Sequence, residues 1–162
     1  MIEPRRATKD DWEEFAEMWA EMLNETIRDG GGDILPTEHS MDSFKFFFDA
    51  YDSGSLVGIA MIAPGAGVLM WGQAAQSMPF DSTNDPYAVG WGTFVRFNHR
   101  GTGLSRIMRE YASEFLLASG FATLVGSVSP SNEAGMESVG ALGFKHAQTQ
   151  VVWHLRDEDD SE

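Results

Sequence analysis

Cysteine is absent from the 162 residues, which excludes disulfides, a thiol nucleophile and thiolate metal sites in one step. Apolar runs are short. None approaches the ~20 residues needed to cross a bilayer, and the N-terminus is charged rather than signal-like, so a cytoplasmic protein with no membrane attachment is expected. Basic charge is scarce, with 11 Lys and Arg against 25 Asp and Glu and a formal net charge of -14. The lysines are Lys9, Lys45 and Lys145. A broad basic face for nucleic acid or anionic membrane is therefore not expected. The acidic excess suits a cationic partner, or serves solubility alone. Internal repeats and linkers are also missing. The length suits one hydrophobic core, expected over residues 1–156, with an acidic tail at 157–162.

The patterning that is present alternates between helical and extended periods. Ile2 to Arg6 reads as a short first strand. Thr8 and Asp11 form a capping box, and Trp12, Phe15, Trp19, Met22 and Leu23 give a helical stripe running to about Ile27. The glycine run Gly30-Gly31-Gly32 ends it. A short helical turn is expected from Thr37 to Asp42. The alternation from Phe44 to Tyr51 predicts a strand, with Asp52-Ser53-Gly54-Ser55 as a hairpin turn. Leu56 to Ala63 and Val68 to Gln73 read as strands separated by Pro64-Gly65-Ala66-Gly67, and residues 74–86 read as a loop. Tyr87 to Val95 resumes as a strand. Gly90 and Gly92 inside it mark a bulge or a close approach to the backbone.

The stretch from Val95 to Met108 organises the rest. A strand ends at Val95, a loop with Gly101 and Gly103 follows, and Leu104, Ile107, Met108, Tyr111 and Phe115 recur at helical spacing. Such a junction leaves backbone N–H groups without partners at the positive end of a helix dipole, where an anion can dock. The two glycines allow unusual backbone angles and leave no side chain in the way. Arg100 and Arg106 add charge. Glycine spacing alone does not separate a phosphate cradle from a plain helix start, and neither Gly-Lys-Ser/Thr nor a three-glycine dinucleotide fingerprint is present.

Downstream, Ser119-Gly120 closes the helix. Phe121 to Val128 is then a strand parallel to Tyr87 to Val95, because only a helix connects them. Asn132 caps a further helix with the stripe Met136, Val139 and Leu142, ending at Gly143. Phe144 to Ala147 and Gln150 to Leu155 read as closing strands. The fold class is α/β (α+β), with one mixed, mostly antiparallel sheet flanked by helices.

Val95-x-Phe97-x-x-Arg100-Gly101-Thr102-Gly103-Leu104-Ser105 resembles the acyl-CoA loop of the GNAT superfamily of N-acetyltransferases. Val128-x-x-x-Asn132 with Gly143-Phe144 resembles its second motif, and the likeness spans roughly residues 2 to 155. The resemblance implies a GNAT-type sheet and acetyl-CoA as co-substrate. The pyrophosphate of coenzyme A would rest on backbone N–H groups from Gly101 through Thr102, Gly103 and Leu104 to Ser105, with Arg100 and Arg106 nearby. The Val95 N–H would face the thioester carbonyl, and Asn132 would hydrogen-bond the pantetheine arm. The implied activity is acetyl transfer to a primary amine of a small molecule or peptide by direct attack. The implied partner is that amine, in cationic form before it reacts, and homodimers occur where sheet edges pair.

The catalytic positions depart from the pattern. Val139 stands where many members carry a tyrosine acid, and Thr93, with Trp91 two before it, where many carry a glutamate base. A thiol of pKa ~8.5 leaves tolerably without an acid, and acid–base help contributes ~100- to 10,000-fold. Base candidates are His99, beside the loop, and Glu38, with His39, on the segment bordering the acceptor site. No His and carboxylate spacing suggests a metal. The alternative is a catalytically degenerate module that binds acyl-CoA or a protein partner.

Overall fold

The computed structural model describes residues 2–28, 37–74, 87–128 and 132–145, with the backbone alone for 37–40. Among the described residues five strands form one sheet in the order β1 (Arg5–Arg6), β2 (Gly58–Ala63), β3 (Gly67–Gly72), β4 (Tyr87–Val95) and β5 (Thr123–Gly126). β1 to β4 pair antiparallel and β4 pairs parallel with β5, the direction that a helical crossover requires. Among the described residues there are four helices, α1 (Trp12–Thr26), α2 (Thr37–Ser53), α3 (Leu104–Ala118) and α4 (Glu133–Ala141), and the first three pack on the sheet.

Every residue of β2 and β3 is buried, because helices cover both faces. On one face Ala60, Ile62, Val68, Met70 and Phe94 pack against Phe15, Met18, Trp19, Phe48 and Tyr51 of α1 and α2. On the other, Ile59, Met61, Leu69, Trp71 and Val95 pack against Leu104, Met108, Ala112 and Leu116 of α3. α1 follows its expected stripe and adds Met18, and its rings stack, Phe15 on Trp19 at 5.4 Å. The expected capping box between Thr8 and Asp11 is present, with the Thr8 N–H donating to Asp11 Oδ2 at 2.9 Å. The first strand is only Arg5–Arg6.

The segment expected as a short turn followed by a strand over Phe44 to Tyr51 is instead the continuous helix α2. Phe44, Phe47, Phe48 and Tyr51 stand three and four residues apart and face the core, while Lys45 and Asp49 form an exposed i, i+4 ion pair at 2.6 Å. Phe46 imitated strand alternation. It is 55% exposed and rests edge-on against Phe47 at 5.3 Å. Gly54, with φ +75°, follows the helix end rather than turning a hairpin.

α3 is also rotated from its expected stripe. Leu104, Met108, Ala112 and Leu116 are buried, whereas Ile107 and Tyr111 are exposed and Phe115 is half-buried under the Arg6 guanidinium, 5.5 Å from its ring centroid. Two of the predicted glycine stops hold, and the third, Gly30-Gly31-Gly32, lies outside the described residues. Gly120 and Gly143 are left-handed, and Phe121 and Phe144 return their N–H groups to the Leu116 and Val139 carbonyls at 3.0 and 3.1 Å. On α4, Met136 and Leu142 are exposed and Val139 is half-buried, so this stripe does not enter the core of the described residues. Phe144 and Lys145 are not in a strand. The expected strand Gln150 to Leu155, the acidic tail and the loop over 75–86 lie outside the described residues.

Candidate active site

The site is built where β4 leaves the sheet. β4 carries the expected bulge, since Met70 pairs with Gly92 and Trp71 with Gly90, leaving Trp91 as the extra residue. Trp91 turns toward α2, where its ring lies 4.3 Å from that of Phe47 and its Nε1–H donates to the Tyr51 hydroxyl at 2.9 Å. The Tyr51 hydroxyl in turn donates to the Gln73 carbonyl at 2.8 Å, and burial pushes its pKa up to about 12. A side chain at residue 92 would crowd α1, because a Cβ there would sit 2.8 Å from Met22 Cε. Bulge and close approach thus occur together.

Pairing of β4 with β5 stops at Gly90 opposite Gly126. From there to Val95 the β5 side of β4 is open among the described residues. The Arg96 N–H donates to the Ala66 carbonyl at 2.9 Å. Antiparallel alternation therefore turns the Val95 N–H away from β3 and into that opening. Phe97–His99 form a 3-10 turn, and Thr102 Oγ1 donates to the His99 carbonyl at 2.7 Å. Gly101 and Gly103 follow at φ +77° and +82°, where a Cβ would meet nothing within 4 Å, so the glycines serve the backbone and leave its face bare. The first bond of α3 runs from the Ile107 N–H to the Gly103 carbonyl at 3.1 Å. Ahead of it, the N–H groups of Gly101, Thr102, Gly103, Leu104, Ser105 and Arg106 donate to no backbone carbonyl among the described residues. They form a row of bare donors at the positive end of α3.

The arginines divide the work differently from the sequence expectation. Arg100 folds back from the loop. Its Nε donates to the Val95 carbonyl at 2.9 Å, its Nη2 meets Glu25 at 2.6 Å, and it lies 5.9 and 5.8 Å from the ring centroids of Phe94 and Phe97. It braces the turn, while Arg106, exposed and 3.4 Å from Glu110, is the cation on the first turn of α3. Arg96, which was not singled out from the sequence, is the second brace, bound to Glu21 at 2.5 Å and Glu17 at 2.9 Å. Arg96 holds the Glu21 carboxyl below its ordinary pKa, and the pairing raises that of Arg96. Glu17, Glu21 and Glu25 recur every four residues on α1. That spacing was a readable signal of one acidic seam with a basic partner.

The remaining candidates are spread out. His99 is half-buried in the 3-10 turn and contributes its backbone, with its N–H on the Arg96 carbonyl at 2.8 Å and its ring without a hydrogen bond among the described residues. The side chains of Glu38 and His39 lie outside the described residues. Thr93 is half-buried on the open stretch of β4, and Val139 is half-buried on α4. Asn132 caps α4 through Oδ1, which accepts from the Gly135 N–H at 2.9 Å, and its amide nitrogen donates to nothing among the described residues. Among the described residues no group of three His, Asp or Glu is placed to hold a metal, and no helix is long and apolar enough to cross a membrane.

No protein-family model and no curated protein matches the chain. Solved structures do. A tetramutant of the BH1408 protein from Bacillus halodurans superposes with a TM-score of 0.75 at 15% identity, over 95% of this chain and 100% of that one. The aminoglycoside N-acetyltransferase AAC(6')-Iy in complex with CoA matches with a TM-score of 0.64 at 16% identity, over 96% and 100%. The apo aminoglycoside 6'-N-acetyltransferase AAC(6')-IG from Acinetobacter haemolyticus matches with a TM-score of 0.69 at 10% identity, over 97% and 100%. The chain has the GNAT-type fold that these N-acetyltransferases share, and at such identities the likeness is one of fold.

Proposed function

We propose that this chain transfers an acyl group, acetyl in the first instance, from acyl-CoA to a primary amine. The observation that carries the reading is the row of bare N–H groups from Gly101 to Arg106 beside an open edge of β4. Both parts fit coenzyme A. The donors and the helix dipole suit a pyrophosphate, with Arg106 at hand. The open edge suits an arm with amide groups that pairs like an added strand. A structural neighbour holds CoA on the same fold.

Bound acetyl-CoA would supply the thioester that the neutral amine attacks, the carbon–sulfur bond breaking as coenzyme A leaves as its thiolate. Around it, this chain would use the Val95 N–H to polarise the thioester carbonyl as negative charge grows on its oxygen, a task that a fixed backbone dipole performs without reorganisation. Arg100 helps by tying the adjacent Val95 carbonyl to Glu25, which holds that peptide in place. Asn132 would use its amide nitrogen on the pantetheine arm while its oxygen caps α4. The acceptor is a small amine or an exposed peptide amine, drawn by the net charge of -14. Glu38 or His99 would accept the ammonium proton.

Calorimetric titration with acetyl-CoA and free coenzyme A, on the wild type and on Gly103→Glu, tests the cradle, and an amine panel tests transfer. Tight binding abolished by the substitution, with turnover of at least one amine, is the expected result. No binding to the wild type overturns the reading. The second reading is an acyl-CoA-binding module without transfer, favoured by Val139 and Thr93 where an acid and a base are common. Binding without turnover across the panel selects it.

A further inference from the structure

On the face that β4 turns toward α1 and α2 runs a strip of aromatic rings that the core does not fully absorb. Trp91, the extra residue of the bulge, has its ring centroid 4.3 Å from that of Phe47, and Phe46 stands edge-on to Phe47 at 5.3 Å. Trp91 and Phe47 are half-buried and Phe46 is 55% exposed, so open apolar surface continues from the sheet outward along α2. Met22 of α1, also half-buried, borders it beside Gly92. The strip is held rigidly. The Tyr51 hydroxyl accepts the Trp91 indole N–H at 2.9 Å, and the Tyr51 ring lies 6.0 Å from that of Phe47. Single exposed rings are ordinary on a surface, but contiguous and fixed rings beside an opening form a binding wall.

This wall begins where β4 parts from β5. An arm paired along the open edge lies in the plane of the sheet, so its thioester turns one face toward α3 and the other toward α1 and α2. The first side is taken up by α3 and the cradle at its start. The amine therefore arrives on the second side, and Trp91, Phe47 and Met22 meet whatever the nitrogen is attached to. Charge narrows the choice further. Glu21 and Glu25, the carboxylates flanking Met22 on α1, are bound to Arg96 and Arg100 and so are not free to pair with a second ammonium group.

We propose that the acceptor is a monoamine with an apolar, aromatic body, which packs on Trp91, Phe47 and Phe46 while its nitrogen points into the open stretch of β4 from Gly92 to Val95. The proposal rests on the acyl-transfer reading and narrows it, away from hydrophilic amines and polycationic sugars.

The test uses the full chain with two readouts. Saturation-transfer NMR of 2-phenylethylamine and 4-phenylbutylamine, with free coenzyme A present, reads binding without chemistry. Thiol release from acetyl-CoA reads transfer, with ethanolamine and neamine as comparison amines. Saturation of the phenyl protons is expected, and kcat/KM for the better phenylalkylamine should exceed that for ethanolamine and for neamine by at least about tenfold. The difference should lie in KM, because the body makes the same contacts before and during transfer. Trp91→Ala is expected to reduce this preference, and the phenyl saturation with it, about tenfold, and Phe46→Ser about threefold. Phenyl saturation that falls in these variants, with no transfer to any amine, supports the wall and overturns the transfer reading alone. Equal turnover of ethanolamine or neamine overturns the proposal and leaves the transfer reading standing. Absent phenyl saturation, or an unchanged preference in Trp91→Ala, also overturns the proposal. Should Trp91→Ala fail to fold, an unchanged preference in Phe46→Ser overturns it.

Discussion

Replacing Tyr51 with phenylalanine removes one oxygen from the interior and measures how α2 is tied to the bulge of β4. The hydroxyl accepts from Trp91 Nε1 at 2.9 Å, donates to the Gln73 carbonyl at 2.8 Å, and belongs to a residue 1% exposed. The ring stays, so packing is kept. A buried partner left unmatched costs ~1–3 kcal/mol. Trp91 is only half-buried, so its N–H can turn to water, and the expected loss is ~1–2 kcal/mol. At ~2–4 °C per kcal/mol for a domain of this size, the midpoint should fall by about 2–8 °C. The assay is urea denaturation of the wild type, Tyr51→Phe, Trp91→Phe and the double variant. If the two side chains act through one hydrogen bond, the double variant loses less than the sum of the singles by about 1 kcal/mol. An additive cycle, or a single-variant loss under ~0.5 kcal/mol, refutes the reasoning. The residue also has an alkaline signature, because burial moves its pKa to about 12 from an unfolded value of ~10. The folded chain holds that proton more tightly, so the contribution is whole below pH ~10 and is lost as pH rises toward 12. The wild type should weaken across that window more steeply than Tyr51→Phe.

Gly92→Ala places a Cβ 2.8 Å from Met22 Cε and 3.0 Å from Trp19 Cη2, so overpacking should cost ~1–3 kcal/mol in a urea titration. Gly101→Ala meets nothing within 4 Å and should cost only the left-handed backbone, ~1–2 kcal/mol. Asn132→Ala removes the cap on the Gly135 N–H and should lower hydrogen-exchange protection in α4 by ~0.5–2 kcal/mol. The Arg5 hydrogen bond holds Asp11 down to about 2 from 3.8. Its stabilisation is therefore present above the unfolded value and lost as pH falls toward 2, and Asp11→Asn should flatten that part of the acid unfolding curve.

Local chemistry by itself determined much of this molecule. The glycine stops at Gly120 and Gly143, the Asn132 cap, the bulge signalled by Gly90 and Gly92, and the bare helix start at Gly101 to Ser105 all rest on backbone angles and neighbouring groups. A sequence states those directly. The parallel β4–β5 pair followed too, since one intervening helix forces it. Tertiary structure decided the rest. The aromatic run from Phe44 to Tyr51 satisfies both a period of two and a period of 3.6, and only the faces of α1 and the sheet chose the helix. α3 settled with Ala112 inward and Tyr111 outward because a small side chain fits where the sheet comes close. The partners of Arg96 and Arg100 on α1 lie 75 residues away in sequence, and no local pattern states which acid meets which base. Arg109 reads as an ordinary helix residue until α4 closes over it. Burial is a property of the packed chain, and only packing ties the Arg109 guanidinium to Ser138 at 2.8 Å while leaving its Nε without an acceptor among the described residues.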